Sequence, residues 1–457
     1  MRIRSAITLA ASVLLCACGA NDAAGPSPDD GTPNDSGPGR SGATGSSGAG
    51  VDGGGAGGSG SSGGSGSSGA SGSTGASGSS GVSGATGGSG SSGTSTSRDA
   101  STSPPPEAGR GDGAASDATV DRDGAGNAGP EGGTSEPADG AATTGPCDLY
   151  GAGGAPCVAA HSTVRALYGS FGGSLYQVKR ASDMTTKDIG VLTAGGFADS
   201  AAQDTFCANT TCTISIVYDQ SPKGNHLTPA PGGGAVSTAD NPANATDLKT
   251  TIGGHPVYGI RIRTGMGYRN DKTSGVATGD SPETEYEVTS SKNLVNGCCF
   301  DYGNAETNNH DDGSGTMEAV YFGLGVIWGT GTGTGPWVEA DLENGIFAGG
   351  PGATMGVATN TSLTSTYVTA MVVGRSGSFA LKGGDAQSGT LKTMYDGDRP
   401  DGYNPMKKQG AIILGIGGDN SNSAGGEFFE GVMTAGNAAS AVDDSVQANI
   451  VAAGYGR

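Results

Sequence analysis

Residues 145–457 of this 457-residue chain predict an all-β fold, a β-sandwich or jelly roll, and three observations lead there. Short β-branched runs recur at 213–217 (TISIV), 317–323, 366–373 and 411–416. Turn-rich stretches separate them, among them Asn270-Asp271, Gly349-Gly350-Pro351 and residues 396–400. Only residues 198–206 and 440–453 read as helices, too few for repeated βαβ units. Asp443 and Asp444 suit the first turn of the second helix, where the helix dipole favours negative charge.

What precedes this domain has a different texture. Residues 1–4 (MRIR) are basic, residues 6–15 are apolar, and the sequence LCACG follows at 15–19. The apolar run is too short to span a bilayer and reads as a signal peptide over residues 1–18. Residues 15–18 resemble a bacterial lipobox, which places lipidation on Cys18 after cleavage before it. Cys16 is the poorer acceptor because Leu15 precedes it, and cleavage near Ala20 without lipid is the alternative. Gly19, rather than Asp, after the lipidated residue favours the outer membrane or cell surface in a Gram-negative host. Residues 19–144 form a Gly/Ser/Pro-rich tether with almost no large apolar side chains. Burial there cannot offset the entropy of ordering, so a disordered linker is expected. Its repeats have no apolar face to stack and are linker repeats.

Composition sets limits on function. The formal net charge is −20, which opposes binding to nucleic acid and suits a neutral substrate outside the cell. Besides Cys16 and Cys18, the cysteines are Cys147, Cys157, Cys207, Cys212, Cys298 and Cys299, an even number in an exported domain. Disulfides are therefore expected, though six cysteines leave the pairing open. The short spacings of Cys147/Cys157 and Cys207/Cys212 suggest two local loops. The adjacent Cys298 and Cys299 can join only as an eight-membered ring, or each can pair elsewhere. None shows CxxC spacing, and His161, His226, His255 and His310 are scattered, so structural roles are expected of them and no zinc site. Asp396, Asp398 and Asp401 read as an acidic turn rather than a calcium loop, and no metal or cofactor is expected.

Two local sequences offer carboxylates in polar, Gly-flanked settings. In residues 340–345 (ADLENG), strand alternation would aim Asp341 and Glu343 at one face. Neighbouring carboxylates repel and raise a pKa, which serves proton chemistry. In residues 415–420 (GIGGDN), glycines before Asp419 would admit a sugar close to the backbone. A proton donor and a second, opposing carboxylate are what glycosidic hydrolysis requires. Each segment also has a plain reading, a solvated strand face and a turn. Trp328 and Trp337 lie near Gly-rich loops, where sugar-binding rings are often found.

Five segments together carry a resemblance: residues 147–168 (opening CDLYGAGGAPC), 218–227 (YDQSPKGNHL), 298–306 (CCFDYGNAE), 340–345 (ADLENG) and 411–421 (AIILGIGGDNS). In order and spread over the whole domain, they resemble family 54 α-L-arabinofuranosidases. The resemblance implies a concanavalin-like β-sandwich and a retaining mechanism, with nucleophile at Glu343 and acid/base at Asp419. It implies that Asp341, Asn344, Cys298, Cys299, Trp328 and Gly418 line the sugar subsite. It implies disulfides Cys147–Cys157, Cys207–Cys212 and Cys298–Cys299, the last packing against arabinose. The expected activity is exo-acting release of terminal α-L-arabinofuranose from arabinan or arabinoxylan, through a covalent glycosyl-enzyme. A surface lectin and a β-xylosidase-like specificity are the rivals. Expected partners are arabinose-containing plant polysaccharides and a membrane reached through the lipid alone, the protein acting as a monomer. Family members commonly continue into a β-trefoil arabinose-binding module, whereas this sequence ends at Arg457. Weaker anchoring to polymer is expected from that departure, with chemistry on short substrates intact.

Overall fold

The computed structural model describes residues 144–325 and 329–457; Cys18, the rest of residues 1–143 and Trp328 lie outside the described residues. Two seven-stranded sheets stack on each other, the sandwich that the sequence predicts. The first runs Cys157–Ser162, Gly426–Thr434, Glu283–Ser290, Tyr367–Arg375, Ser378–Asp385 and Lys392–Asp398, with Ile260–Ile262 also beside Gly426–Thr434. The second runs Ile346–Phe347, Trp337–Asp341, Glu318–Gly323, Asp301–Ala305, Ala411–Leu414, Tyr268–Asn270 and Thr228–Pro229. Neighbours in both are antiparallel, with register such as Val320 opposite Ala340 and Val372 opposite Leu381.

Between the sheets, one half of the interlayer is apolar. Val320, Phe322, Val338 and Ala340 of the second sheet meet Val368, Ala370, Val372, Phe379 and Leu381 of the first. Each fully buried larger side chain contributes about 1.5–3 kcal/mol relative to exposure. The other half is polar. Alternation along Glu283–Ser290 turns Glu283 and Glu285 inward, where they accept hydrogen bonds from the Asn304 side chain and backbone at 2.9 and 3.0 Å. The opposite face of the first sheet, through Tyr286, Met371 and Val432, packs on Val446 and Ile450 of the helix Ser440–Ala453.

That helix has the bounds the sequence predicts, and Gly454 ends it in the left-handed region, φ 77°. Asp443 in its first turn is buried and pairs with Lys382 at 2.6 Å. The other expected helix is Ser200–Phe206, capped by the Asp199 carboxylate on the Ala202 N–H. A third, Pro146–Ala152, was not expected; Pro at its first position presets the helical φ.

Some expectations need correction. The run at 411–416 leaves the sheet after Leu414, because Gly415 turns to φ 80°. Residues 396–398 are strand rather than turn: Lys392–Asp398 forms the sheet edge, with Asp396 receiving Arg375 at 2.6 Å. Trp337 is no open platform. It is 5% exposed, and its indole N–H donates to the Thr332 carbonyl at 2.8 Å. Disulfides Cys147–Cys157 and Cys207–Cys212 are present, with Cα separations of 5.6 and 5.8 Å. Histidines play structural parts: His161 lies between the Tyr302 hydroxyl and the Asn225 carbonyl, and His255 stacks on Phe197.

Candidate active site

The site is built where two strands of the second sheet run out. Strand Trp337–Asp341 is held against Glu318–Gly323 and ends with Asp341 opposite Ile346. Between these partners the chain makes a tight hairpin, the Leu342 N–H donating to the Gly345 carbonyl at 3.0 Å. Its two central residues, Glu343 and Asn344, are both left-handed, φ 62° and 56°. Two consecutive positive φ values are what a type I′ turn demands. Asn accepts that region readily; Glu does so at a cost of about 1–2 kcal/mol. Asp341 and Glu343 thus converge through a turn, not through the strand alternation read from the sequence. The Asp341 carboxylate fixes the turn by accepting the Glu343 N–H at 3.1 Å.

The facing wall follows strand Ala411–Leu414. The Gly417 N–H donates to Ser421 O at 2.9 Å and the Asn420 N–H to Gly417 O at 3.1 Å, closing a compact loop that presents Asp419. The Asp419 carboxylate accepts the Ser421 N–H and hydroxyl at 2.9 and 2.5 Å, so one oxygen is held while the other is left for a ligand. From outside, the Ala235 N–H donates to the Asp419 carbonyl at 2.9 Å. The buried Arg269 guanidinium clamps the backbone by donating to the carbonyls of Gly418, at 2.6 Å, and Glu306. A side chain on Gly418 would collide with the Glu306 and Glu343 carboxyls, so only glycine fits there.

Cys298 and Cys299 form the floor, joined to each other across a cis peptide. The loop of Asp419 anchors them: the Cys299 N–H donates to Ser421 O at 3.1 Å, and Cys298 O accepts the Ser423 N–H at 3.0 Å. Tyr321 and Ile346 pack with both cysteines. Cys299 Sγ touches Asp341 Oδ2 at 3.3 Å. Cys298, Cys299, Asp341, Glu343, Asn344, Gly418 and Asp419 all line one small depression, together with Gly345, Ile346, Gly417 and Ser421. Asp341, Glu343 and Asp419 are only 4–8% exposed. Among the described residues, Cys298, Cys299 and Asp341 are close enough to surround a metal ion, but sulfurs bonded to each other offer no thiolate.

Electrostatically the site is a knot of carboxyls. Burial first, then Glu306, Asp341, Asp419 and Asp311, push Glu343 up to about 11. Burial raises Asp341 to about 7, against the hydrogen bonds from the Glu343 N–H and the Asp301 carboxyl that stabilise its charge. Asp301, fully buried beside Asp341, is raised well above the carboxyl range. Burial also lifts Glu306 to about 7, opposed by the Thr316 hydroxyl and by the charge of Arg269. The group cannot all be ionised together, so protons are retained within it and shared. Such a site can keep one carboxyl as proton carrier and another as nucleophile or base.

Glu306 and Asp301 were given no role from the sequence, although both stand in the segment 298–306 (CCFDYGNAE). The available signal was two acids flanking the uncharged residues Tyr302, Gly303, Asn304 and Ala305 of one strand. Asn344 meets its neighbour Asp311 through an amide donation at 3.0 Å.

Comparison with known proteins shows the family of the domain. Residues 146–456 match the family described as α-L-arabinofuranosidase B, catalytic. A probable α-L-arabinofuranosidase B of Aspergillus fumigatus is 56% identical over 318 residues, 68% of this chain and 62% of that protein. An α-L-arabinofuranosidase of Hypocrea jecorina is 54% identical over 318 residues, 68% and 63% of the two chains. A crystal structure of an arabinofuranosidase complexed with arabinofuranosyl-α-1,2-xylobiose superposes with TM-score 0.67 at 53% identity, covering 68% of this chain and 66% of that one. The chain spans rather less than two thirds of the length of these curated relatives. On the family match and these identities, the chain belongs to the α-L-arabinofuranosidase B catalytic-domain family.

Proposed function

We propose that the protein is an exo-acting, retaining α-L-arabinofuranosidase that removes terminal α-L-arabinofuranose from arabinose-bearing polysaccharides and oligosaccharides. The observation that carries this reading is the convergence of Glu343 and Asp419 on one small pocket floored by Cys298–Cys299. In the first step a Glu343 oxygen attacks the anomeric carbon while Asp419 protonates the departing glycosidic oxygen. In the second, Asp419 takes a proton from water, which attacks the same carbon and returns Glu343 as carboxylate. Retention requires the two carboxyls at about 5–5.5 Å in the working complex. The flat disulfide and Ile346 supply apolar contact for the sugar face, while Asp341 and Asn344 supply hydrogen bonds for its hydroxyls. The relative solved with arabinofuranosyl-α-1,2-xylobiose supports arabinose-substituted xylo-oligosaccharides as substrates.

Glu343→Gln keeps the side-chain volume and removes the nucleophile. Turnover of 4-nitrophenyl α-L-arabinofuranoside should fall by about four orders of magnitude or more, with thermal unfolding unchanged. NMR of the first-formed sugar should show retained anomeric configuration; an inverted product, or a fully active Glu343→Gln, would overturn the assignment. Export and display on a lipid at Cys18 belong to the same proposal and rest on residues 1–18 alone. Incorporation of labelled palmitate that disappears in Cys18→Ala tests that part.

A further inference from the structure

We propose that Asp311 is a positioning residue of the sugar subsite: it holds the nitrogen end of the Asn344 amide, so that the amide oxygen is left to accept a hydrogen bond from one arabinose hydroxyl. This rests on the reading of the pocket as an arabinofuranose subsite, and it assigns which end of Asn344 that sugar meets.

Asn344 lines the pocket next to Glu343 and is the second left-handed residue of the same turn, φ 56°. An amide side chain can present a donor or an acceptor, because its two ends have nearly the same shape. Here the choice is made outside the pocket. Asn344 Nδ2 lies 3.0 Å from Asp311 Oδ1, and a carboxylate can only accept, so the nitrogen end must face it. The same Asp311 oxygen accepts the Gly313 N–H at 2.7 Å, which holds it in place. Turning the amide over would set oxygen against oxygen and lose the bond. Asn344 Oδ1 has no hydrogen-bond partner among the described residues, and the side chain is only half-buried. That oxygen is the end left for a ligand.

Asp311 is held independently of the turn it steers. Asn309, two residues earlier, is buried and left-handed at φ 61°. Its Nδ2 donates to the Pro231 carbonyl at 2.9 Å, and its own carbonyl accepts the Gly234 N–H at 2.9 Å. The next N–H along, that of Ala235, is the one that holds the Asp419 carbonyl. Residues 231–235 and 309–313 thus form a hydrogen-bonded strap from the Asp419 loop to Asn344. Asn344 is preorganised as an acceptor, and the group it meets must donate. A hydroxyl satisfies it, whereas a hydrogen or a fluorine at the same carbon donates nothing and leaves the oxygen unpaired.

Steady-state kinetics on 4-nitrophenyl α-L-arabinofuranoside and its 2-deoxy, 3-deoxy and 5-deoxy analogues test this. Asp311→Ala frees the amide to rotate and should lower kcat/KM on the parent glycoside about tenfold. On the one analogue that lacks the hydroxyl met by Asn344, the same variant should lose less than about twofold, while on the other two the loss should stay at about tenfold. Losing the Asp311 charge near Glu343, or loosening the turn, would act on every substrate alike. Asp311→Asn removes that charge too, yet Gly313 and Asn344 still call for its oxygen, so kcat/KM should return to within about threefold of native. An equal loss on all the substrates, an Asp311→Asn as slow as Asp311→Ala, or an Asp311→Ala with native kcat/KM would overturn the proposal. If Asp311→Ala does not fold, Asp311→Ser, too short to reach Asn344, takes its place under the same criteria. A native protein that hydrolyses none of these glycosides would strike instead at the arabinofuranosidase reading. Calorimetric binding of L-arabinose then decides: about tenfold weaker in Asp311→Ala but not in Asp311→Asn supports the role of Asp311, and equal affinities overturn it.

Discussion

Two groups of buried acids sit within the same sandwich, and they differ in whether a cation pairs directly with their carboxyls. Behind the polar half of the interlayer, Lys408 lies 2.8 Å from Glu283 and 2.6 Å from Glu318, all three without exposed side-chain surface. Arg399 joins Glu318 to Asp280 in the same network. Burial alone would lower Lys408, but Glu283 and Glu318 outweigh it and raise the ammonium above its usual range. Charges there nearly cancel, so the network ties Glu283–Ser290 to Glu318–Gly323 and does no chemistry. In the pocket, Asp301, Glu306, Asp341, Glu343 and Asp419 gather with Arg269 nearby, which favours the ionised form of Glu306 but gives its hydrogen bonds to two carbonyls and Asp271. The difference teaches that burial of carboxyls is not by itself the mark of a site; the convergence of several acids without direct ion pairs on one open pocket is.

The largest effect should come from the unpaired group. On the proposed mechanism Asp419→Ala removes proton donor and base together, and kcat on arabinoxylan oligosaccharides should fall by about 10³–10⁴. The nitrophenyl glycoside needs little protonation of its leaving group, so its first step should suffer far less. Added azide should then rescue turnover by attacking the glycosyl-enzyme without a base. Equal losses on both substrates, with no rescue, would remove Asp419 from the acid/base role. Stability should be untouched, since the Asp419 loop keeps its backbone hydrogen bonds.

Breaking the paired group should do the reverse. Lys408→Met leaves Glu283 and Glu318 buried with Arg399 alone, and urea unfolding at pH 7 should show a loss of about 3–5 kcal/mol. The folded fraction should turn over substrate at the native kcat. A Lys408→Met protein that is stable but inactive would mean that the two groups are one functional unit.

How much of this could be read from the sequence follows the same division. The β-branched runs and the helix Ser440–Ala453 were legible because side-chain shape and periodicity are local properties. Glu283–Ser290, the centre of the first sheet, was not: its three glutamates alternate with Thr284, Tyr286 and Val288, which reads as a half-solvated strand. The burial of Glu283 and Glu285 is decided by Asn304 and Lys408, which are distant in sequence. In the site, Glu343, Asp419 and the cysteines stood out by motif. The convergence of Asp341 with Glu343 was expected for the wrong local reason, since a left-handed turn and not pleat alternation brings them together. Glu306 was not singled out, because its carboxyl reaches the site over Gly418, from a third segment of chain.

The smallest expected effect separates the two groups by pH. Glu287 is fully buried between them, with no hydrogen-bond partner on either carboxyl oxygen among the described residues. Burial alone raises it well above the carboxyl range, so the folded protein holds it neutral. In the unfolded chain it ionises near the ordinary glutamate value, about 4.3. Below that pH both states carry the proton and Glu287 costs nothing by titration. As pH rises above it, the unfolded state gains by losing a proton that the folded state must keep, and stability declines until the folded group itself titrates. Glu287→Met removes that pH-dependent loss while filling the same space. The variant should therefore gain about 3–4 kcal/mol over the native protein between pH 4 and pH 7, with little pH-dependent difference at the lower value. Denaturant unfolding at the two pH values measures it. A variant destabilised equally at both would show that Glu287 is held by partners in the polar interlayer and belongs with the Lys408 network.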